Sequence, residues 1–141
     1  MSIELHIFIP DSMSLTVGAW QEAIGAAGFP TILDAGVNAE SHSGFLPAEY
    51  NGKSTGFEFY LDRTSDLLAA YPHISHQVGN RGKCATFRWG GDLLEMCAGL
   101  SAAASLAKMA DGIYFYPDAD IVYEADQALV ATQNDLKSIR A

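Results

Sequence analysis

Hydrophobic and polar residues alternate in several short runs of this chain, a pattern typical of half-buried β-strands. The first run starts at Ile3 and stops before Pro10, a residue that cannot donate to a strand ladder. In another run, Phe87 and Trp89 share one side and Arg88 lies on the other. The predicted strands are Ile3 to Ile9, Thr31 to Leu33, Phe57 to Asp62, Cys84 to Trp89, Ile113 to Tyr116 and Ile121 to Tyr123.

Helical spacing appears in three segments besides the central helix. The first holds Leu15 to Ala27, with Asp11, Ser12 or Ser14 as candidate N-caps and Gly28-Phe29-Pro30 as its end. A short helix is predicted from Thr64 to Tyr71, and the last helix from Ala125 to Leu136. Acidic residues at the start of this last helix and Lys137 near its end favour the helix dipole.

The central helix follows Gly90-Gly91-Asp92. Asp92 is a good N-cap, and Glu95 follows three residues later at the spacing of a capping box. From Met96 to Ala107 the helix has no charged residue and is rich in Ala, Gly and Ser. We therefore predict a core helix buried on nearly all sides, because a membrane span needs about 20 mainly apolar residues.

These elements follow one another in the order β-α-β-β-β-α-β-β-α, with a long loop predicted over Asp34 to Gly56. Consecutive strands without crossover helices favour a mainly antiparallel sheet. The predicted fold is a single α+β domain over residues 1–141, with two or three helices packed on one sheet face. A loop as long as 34–56 is usually functional, locally packed or mobile.

The alternation also predicts what the other sheet face displays. If the helices cover one face, the second face mixes aromatic and charged side chains and forms a plausible recognition surface. A third helix or the long loop covering this face is the alternative. The predicted set is His6, Phe8, Glu58, Tyr60, Asp62, Thr86, Arg88, Tyr114 and Tyr116.

Charge narrows the choice of partners. The chain has 17 acidic and 8 basic residues, for a formal net charge of −9. Nucleic acids and anionic membranes are disfavoured because their binding depends on Lys and Arg, whereas a basic partner is attracted. Solubility alone also accounts for such a charge.

The sequence also predicts the compartment. No signal peptide is readable, and Cys84 and Cys97 fit reduced, buried thiols of a cytoplasmic protein.

No group of residues predicts catalysis. Gly79 to Lys83 has two residues between its glycines, whereas a phosphate-binding loop needs four. His73 and His76 have a metal-ligand spacing but no Cys or carboxylate close by, so we predict neither a metal nor a cofactor. The two cysteines need exposure and a base to act as nucleophiles. We therefore lean towards a protein that is not an enzyme.

The C-terminal half resembles a group of small bacterial proteins. Phe87 to Asp92, the Ala-rich helix, Gly112 to Asp118 and Ile121 to Asp126 are similar to segments of small uncharacterised bacterial α+β proteins, some of which resemble immunity proteins that neutralise a toxin by binding it. This resemblance covers about a third of the chain, on structural motifs, and implies a protein-binding role without assigning contact residues.

We therefore predict a non-catalytic protein-binding module, of the immunity or antitoxin type, with a basic partner. The alternatives are a small-molecule-binding or enzymatic domain that uses the sheet face and the 34–56 loop, and a subunit that forms a homodimer through that face. The predicted partner-binding residues are Glu58, Tyr60, Asp62, Arg88, Tyr114 and Tyr116.

Overall fold

The computed structural model describes residues 2–139 and is organised around one antiparallel sheet. Its seven strands lie in the order β2-β3-β4-β5-β1-β6-β7, and every neighbouring pair is antiparallel. The predicted α+β class with a mainly antiparallel sheet is confirmed. The strands are β1 (Ile3–Ile9), β2 (Thr31–Leu33), β3 (Ser43–Tyr50), β4 (Lys53–Arg63), β5 (Lys83–Trp89), β6 (Ile113–Tyr116) and β7 (Ile121–Glu124).

Three longer helices cover one face of this sheet, which we call the inner face. They are α1 (Val17–Ala26), α4 (Leu93–Ala110) and α5 (Ala125–Lys137). Helix α4 lies against β1, β4 and β5, and it is flanked by α1 and α5. The larger hydrophobic core fills the space between these helices and the inner face.

Two short helices and two 3₁₀ turns complete the fold. The helices are α2 (Thr64–Leu68) and α3 (Ser75–Val78), and the turns are Pro72–Ile74 and Pro117–Ala119. The segment 64–78 lies on the opposite, outer face, where Ile74 and Val78 cover Phe8 and Cys84 in a second, smaller core. The outer face is therefore covered at one end, by this segment and not by the third long helix or the 34–56 loop, and it is open at the other end.

The predicted 34–56 loop is wrong in its second half. Residues 43–50 form β3, and β4 begins at Lys53, ten residues after β3 begins. Positive φ angles at Asn51 and Gly52 form the tight turn between these strands. The chain from Asp34 to His42 is a true connection, anchored where the Glu40 carboxylate accepts from the Leu15 N–H at 2.8 Å and from Lys83 at 3.0 Å. The predicted order lacked β3 and α3, whereas the short helix predicted from Thr64 is present as α2 and ends at Leu68.

Helix α4 is the predicted core helix. Ten of its residues are buried, including the small residues at its centre. It is long and apolar enough to cross a membrane by length and composition, with a mean hydropathy of 1.3, but 56% of that segment is buried inside the protein. Burial of this kind is expected of a core helix packed between a sheet and two other helices.

The helix starts follow local capping chemistry. The side chain of Asp92 accepts from the Leu94 N–H at 2.9 Å, as predicted for this N-cap. Glu95 accepts from the N–H of Gly90 rather than from that of Asp92, so it closes the preceding turn. In α1 the N-cap is Thr16, which accepts from the Ala19 N–H, and not Asp11, Ser12 or Ser14.

Gly99 allows the close contact between α4 and the sheet. A Cβ atom at this position would lie 2.7 Å from Cε3 of Trp89, which is 3% exposed on the end of β5. We expect Gly99→Ala to lower the free energy of unfolding by about 1–3 kcal/mol, since the buried indole cannot yield without repacking. Urea unfolding measures this change.

The matched control for this prediction is Gly25→Ala in α1. A Cβ atom at Gly25 would meet nothing within 4 Å, so this helical position should gain about 0.5–1 kcal/mol from alanine. Equal effects of the two substitutions would contradict the claim that Gly99 is required for the contact with Trp89.

Candidate functional site

The open part of the outer face is a mixed apolar and acidic surface, which we call the open patch. The register places Phe45 opposite Glu58, and Glu58 opposite Arg88, in one row across three strands. Ile32 and Phe45 are more than half exposed, at 55% and 54%. The open patch comprises Ile32, Phe45, Pro47, Glu49, Glu58, Tyr60, Arg88 and Glu4.

Arg88 is the centre of a polar network in this patch. Its Nε donates to Glu4 Oε1 at 3.0 Å, and its Nη1 lies 3.7 Å from Glu58 Oε1. The Tyr60 hydroxyl donates to the same Glu58 oxygen, and the guanidinium carbon lies 5.6 Å from the centre of the Tyr60 ring. Two carboxylates therefore share one cation, and the network keeps a net negative charge.

Glu58 also affects the acidity of Tyr60. The hydrogen bond to Glu58 raises the pKa of the Tyr60 hydroxyl, so the phenol stays protonated and keeps donating to the carboxylate. With its hydroxyl and its ring both engaged, Tyr60 is held in one position at the surface. A side chain that is already ordered loses less conformational entropy when a partner binds.

Four of the six predicted partner-binding residues lie together. Glu58, Tyr60 and Arg88 belong to the open patch, and Asp62 continues the same side of β4 towards the covered end, opposite Cys84. Asp62 remains exposed. The sequence therefore predicted correctly which of these side chains share a face of β4 and β5.

Tyr114 and Tyr116 do not join them. Tyr114 pairs with Ile7, a residue of the inner face, and is 7% exposed in the larger core. Tyr116 lies on the same side of β6, while Ile113 and Phe115 point into the smaller core on the outer face. The prediction of which β6 side chains point to the outer face is wrong. All four residues of this strand are apolar or aromatic, so no charged position marks the outer face.

Three further residues of the predicted exposed face are buried. His6, Phe8 and Thr86 are 2%, 0% and 6% exposed, since the segment 64–78 covers their end of the outer face. The His6 ring lies 6.3 Å from the rings of both Tyr71 and Phe115. These residues form the floor of the small core and not a recognition surface.

His6, Thr86 and Cys84 form a buried polar cluster at the border of the open patch. His6 Nδ1 and Thr86 Oγ1 are 2.9 Å apart, and the Cys84 sulfur lies 3.9 Å from each of these atoms. Burial raises the pKa of the Cys84 thiol to about 12. The thiol is therefore protonated at neutral pH and lacks the exposure that a nucleophile needs.

His73, one of the two candidate metal ligands, lies beside a carboxylate. His73 Nε2 lies 2.7 Å from Asp120 Oδ1, which ties the 64–78 segment to the turn after β6. Within residues 2–139, no group of three or more His, Cys, Asp or Glu side chains is placed to hold a metal ion. The absence of a metal and of a cofactor stays a prediction for elemental analysis.

Sequence reasoning missed the β2 and β3 residues of the open patch. Phe45, Pro47 and Glu49 alternate with the buried residues Leu46, Ala48 and Tyr50, so a period-two signal was present. Glycine, serine and proline around it favoured a loop instead. Ile32 was not identified because a three-residue strand has too few positions to show which side is exposed.

We expect the Cys84 thiol to react very slowly with thiol reagents in the folded protein. A pKa of about 12, against an ordinary value of 9.0, leaves roughly 1,000-fold less thiolate at pH 8. Labelling with a maleimide, followed by mass spectrometry of the intact protein and its peptides, measures the rate. Labelling of native Cys84 as fast as in urea would contradict its burial.

His6 gives the stability of the fold a defined pH dependence. Burial lowers the pKa of His6 from 6.5, with Glu4 opposing this effect and Arg88 adding to it. The unfolded chain therefore takes up the proton first, and stability falls as the pH drops from about 6.5 towards the lower pKa of the folded state. Urea unfolding of the protein and of His6→Asn from pH 8 to pH 5 should show a shallower decline for the variant. Parallel curves would contradict this assignment.

Comparison with known proteins does not add to this site. No protein-family model matches the chain, and no similar curated protein or solved structure was found.

Proposed function

We propose that this protein is a non-catalytic binding module that recognises a basic protein through the open patch. The observation that carries this proposal is the exposure of Ile32 and Phe45 on a sheet face that also presents carboxylates. Exposed aromatic side chains supply the contact energy of protein interfaces when they become buried. Adjacent carboxylates supply selectivity for positive charge.

Phe45 is held in place before any partner arrives. A Cβ atom at Gly56 would lie 2.4 Å from Cζ of Phe45, so the phenyl ring lies directly over the glycine of the neighbouring strand. Rings that cover a strand glycine in this way help to pin the register of a sheet. The ring is therefore a rigid apolar anchor, and rigid anchors lose little entropy on binding.

The charges of the patch favour a basic partner. Arg88 is already paired with Glu4 and Glu58, while Glu49 and Asp62 are exposed. The formal net charge of −9 extends this negative field over the molecule. A negative surface accelerates the association of positive partners and repels phosphate backbones and anionic lipids.

The resemblance of the C-terminal half to immunity proteins gives this proposal a specific form. An immunity protein acts by occupying a toxin and needs no reactive group of its own. The high thiol pKa of Cys84 and the pairing of Arg88 are compatible with that role. We therefore propose a basic toxin in the bacterial cytoplasm as the class of partner.

The first test is to identify the partner and then measure its binding to variants. After capture from extract of the native cell, Phe45→Ala should weaken binding about tenfold or more, mainly through faster dissociation. Val130→Ala is the matched control, since Val130 is 55% exposed on α5, away from the patch. Equal losses for the two variants would place the interface elsewhere.

The second test concerns charge. Replacing Glu49 and Asp62 by Lys should slow association and flatten its salt dependence, while Glu22→Lys on α1 should have a smaller effect.

Sedimentation of the protein alone tests the competing homodimer, in which a second copy of the chain would bury the open patch. Self-association abolished by Phe45→Ala, or failure to retain any protein, would overturn the proposal.

A further inference from the structure

A small aromatic cavity lies on the inner side, between the helices and the strands near the β6–β7 edge. Its walls come from the ends of β1 and β5, from β6 and β7, and from α4 and α5, and its volume is about 240 Å³. We call it the tyrosine pocket, after Tyr114, Tyr116 and Tyr123. Trp89 and Asp135 also line it, with Met96 and Leu100 of α4 as its apolar wall.

Strand register brings the aromatic residues together. Tyr114 pairs directly with Tyr123 across β6 and β7, and their ring centroids are 5.5 Å apart with planes inclined by 42°. Tyr116 lies two residues further along the same side of β6. Trp89 enters from the end of β5. Four aromatic residues from three strands therefore line one small volume, and aromatic faces attract cations.

A carboxylate completes this environment. Asp135 of α5 lines the pocket and is close enough to add to the rise in the pKa of Tyr114, a rise caused first by burial and then by Tyr123. The buried Thr132 side chain opposes this rise in the pKa of Tyr114. Within residues 2–139, no Lys, Arg or His lies within ion-pair distance of Asp135.

Trp89 contributes an apolar aromatic wall and not a hydrogen-bond donor. The residue is 3% exposed, and its indole Nε1 is buried, without accessible surface and without a hydrogen-bond partner among the described residues. Its six-membered ring packs on Gly99, which holds the indole in place. The charged group that an occupant of the pocket meets is therefore the carboxylate of Asp135.

We infer that the tyrosine pocket binds a small organic ammonium ion, the class to which choline and tetramethylammonium belong. The aromatic rings and Asp135 select the cation. The volume lies below the range of about 300–1,000 Å³ that suits drug-sized ligands, so the occupant is small. An anion is repelled by Asp135, and a neutral ligand leaves this carboxylate unmatched.

This site goes beyond the proposed function, because it lies across the sheet from the open patch. It needs no protein partner, and neither proposal depends on the other. A failed test here leaves the open patch untouched, and loss of binding at the open patch leaves the pocket intact.

Three probes of similar shape separate the effect of charge from that of shape. Choline and tetramethylammonium carry the cation, and 3,3-dimethylbutan-1-ol has the shape of choline without the charge. Titration followed by calorimetry and by NMR spectra should show binding of both cations. The neutral alcohol should bind about tenfold more weakly, in line with loss of a cation–π cage and a carboxylate.

Two variants assign these effects to residues. Asp135→Asn should weaken choline and tetramethylammonium severalfold and leave the neutral alcohol unchanged. Asp126→Asn, on the same helix but paired with Lys108, is the matched control and should change none of them. Trp89→Phe keeps an aromatic ring but offers a smaller π face, so it should weaken both cations and affect the neutral alcohol less.

Specific outcomes overturn the inference. Equal binding of all three probes, no binding of any probe, or equal effects of the two aspartate variants would each refute a cation site. Should Trp89→Phe fail to fold, the ranking of the probes on the native protein and on Asp135→Asn still decides the question, because Asp135 is exposed and its replacement removes no core packing.

Discussion

The packing of α4 against the sheet is the contact on which the rest of the structure depends. The helix has no charge between Met96 and Ala107, so it can lie between the sheet and two other helices without leaving an ion unpaired. It also holds other elements in place. The Trp20 indole of α1 donates to the Ala102 carbonyl at 2.9 Å, and Thr31 of β2 is 2.6 Å from Ser101 through their hydroxyls.

The position of α4 determines which surfaces remain for binding. With the inner face filled by three helices, the outer face is left to the short segment 64–78, which covers one end only. The open patch is the uncovered remainder of that face. The tyrosine pocket lies on the inner side, between α4 and α5 and the strands β6 and β7.

Much of the fold follows from local patterns in the sequence, but these patterns do not decide which side of each strand is covered. Runs with regular polar positions, such as Ile3 to Ile9, predicted their strands correctly, and Asp92 marked the start of α4. In β6 all four residues are apolar or aromatic, so its phase depends on the register with β1. The burial of His6 depends on Tyr71, which is 65 residues away in the sequence. Such long-range contacts cannot be derived from spacing alone.

Aromatic rings lie beside carboxylates in both the open patch and the tyrosine pocket. The two surfaces differ in shape, since the open patch is flat and the tyrosine pocket is concave. On the open patch, Phe45 and Tyr60 lie on a flat sheet surface, where only a large partner can remove them from water. In the tyrosine pocket, four aromatic residues line a concave volume of about 240 Å³, which matches the small ammonium ion that we propose as its ligand. In both proposals the acidic field favours positive charge, and the local shape is what distinguishes a protein partner from a small molecule.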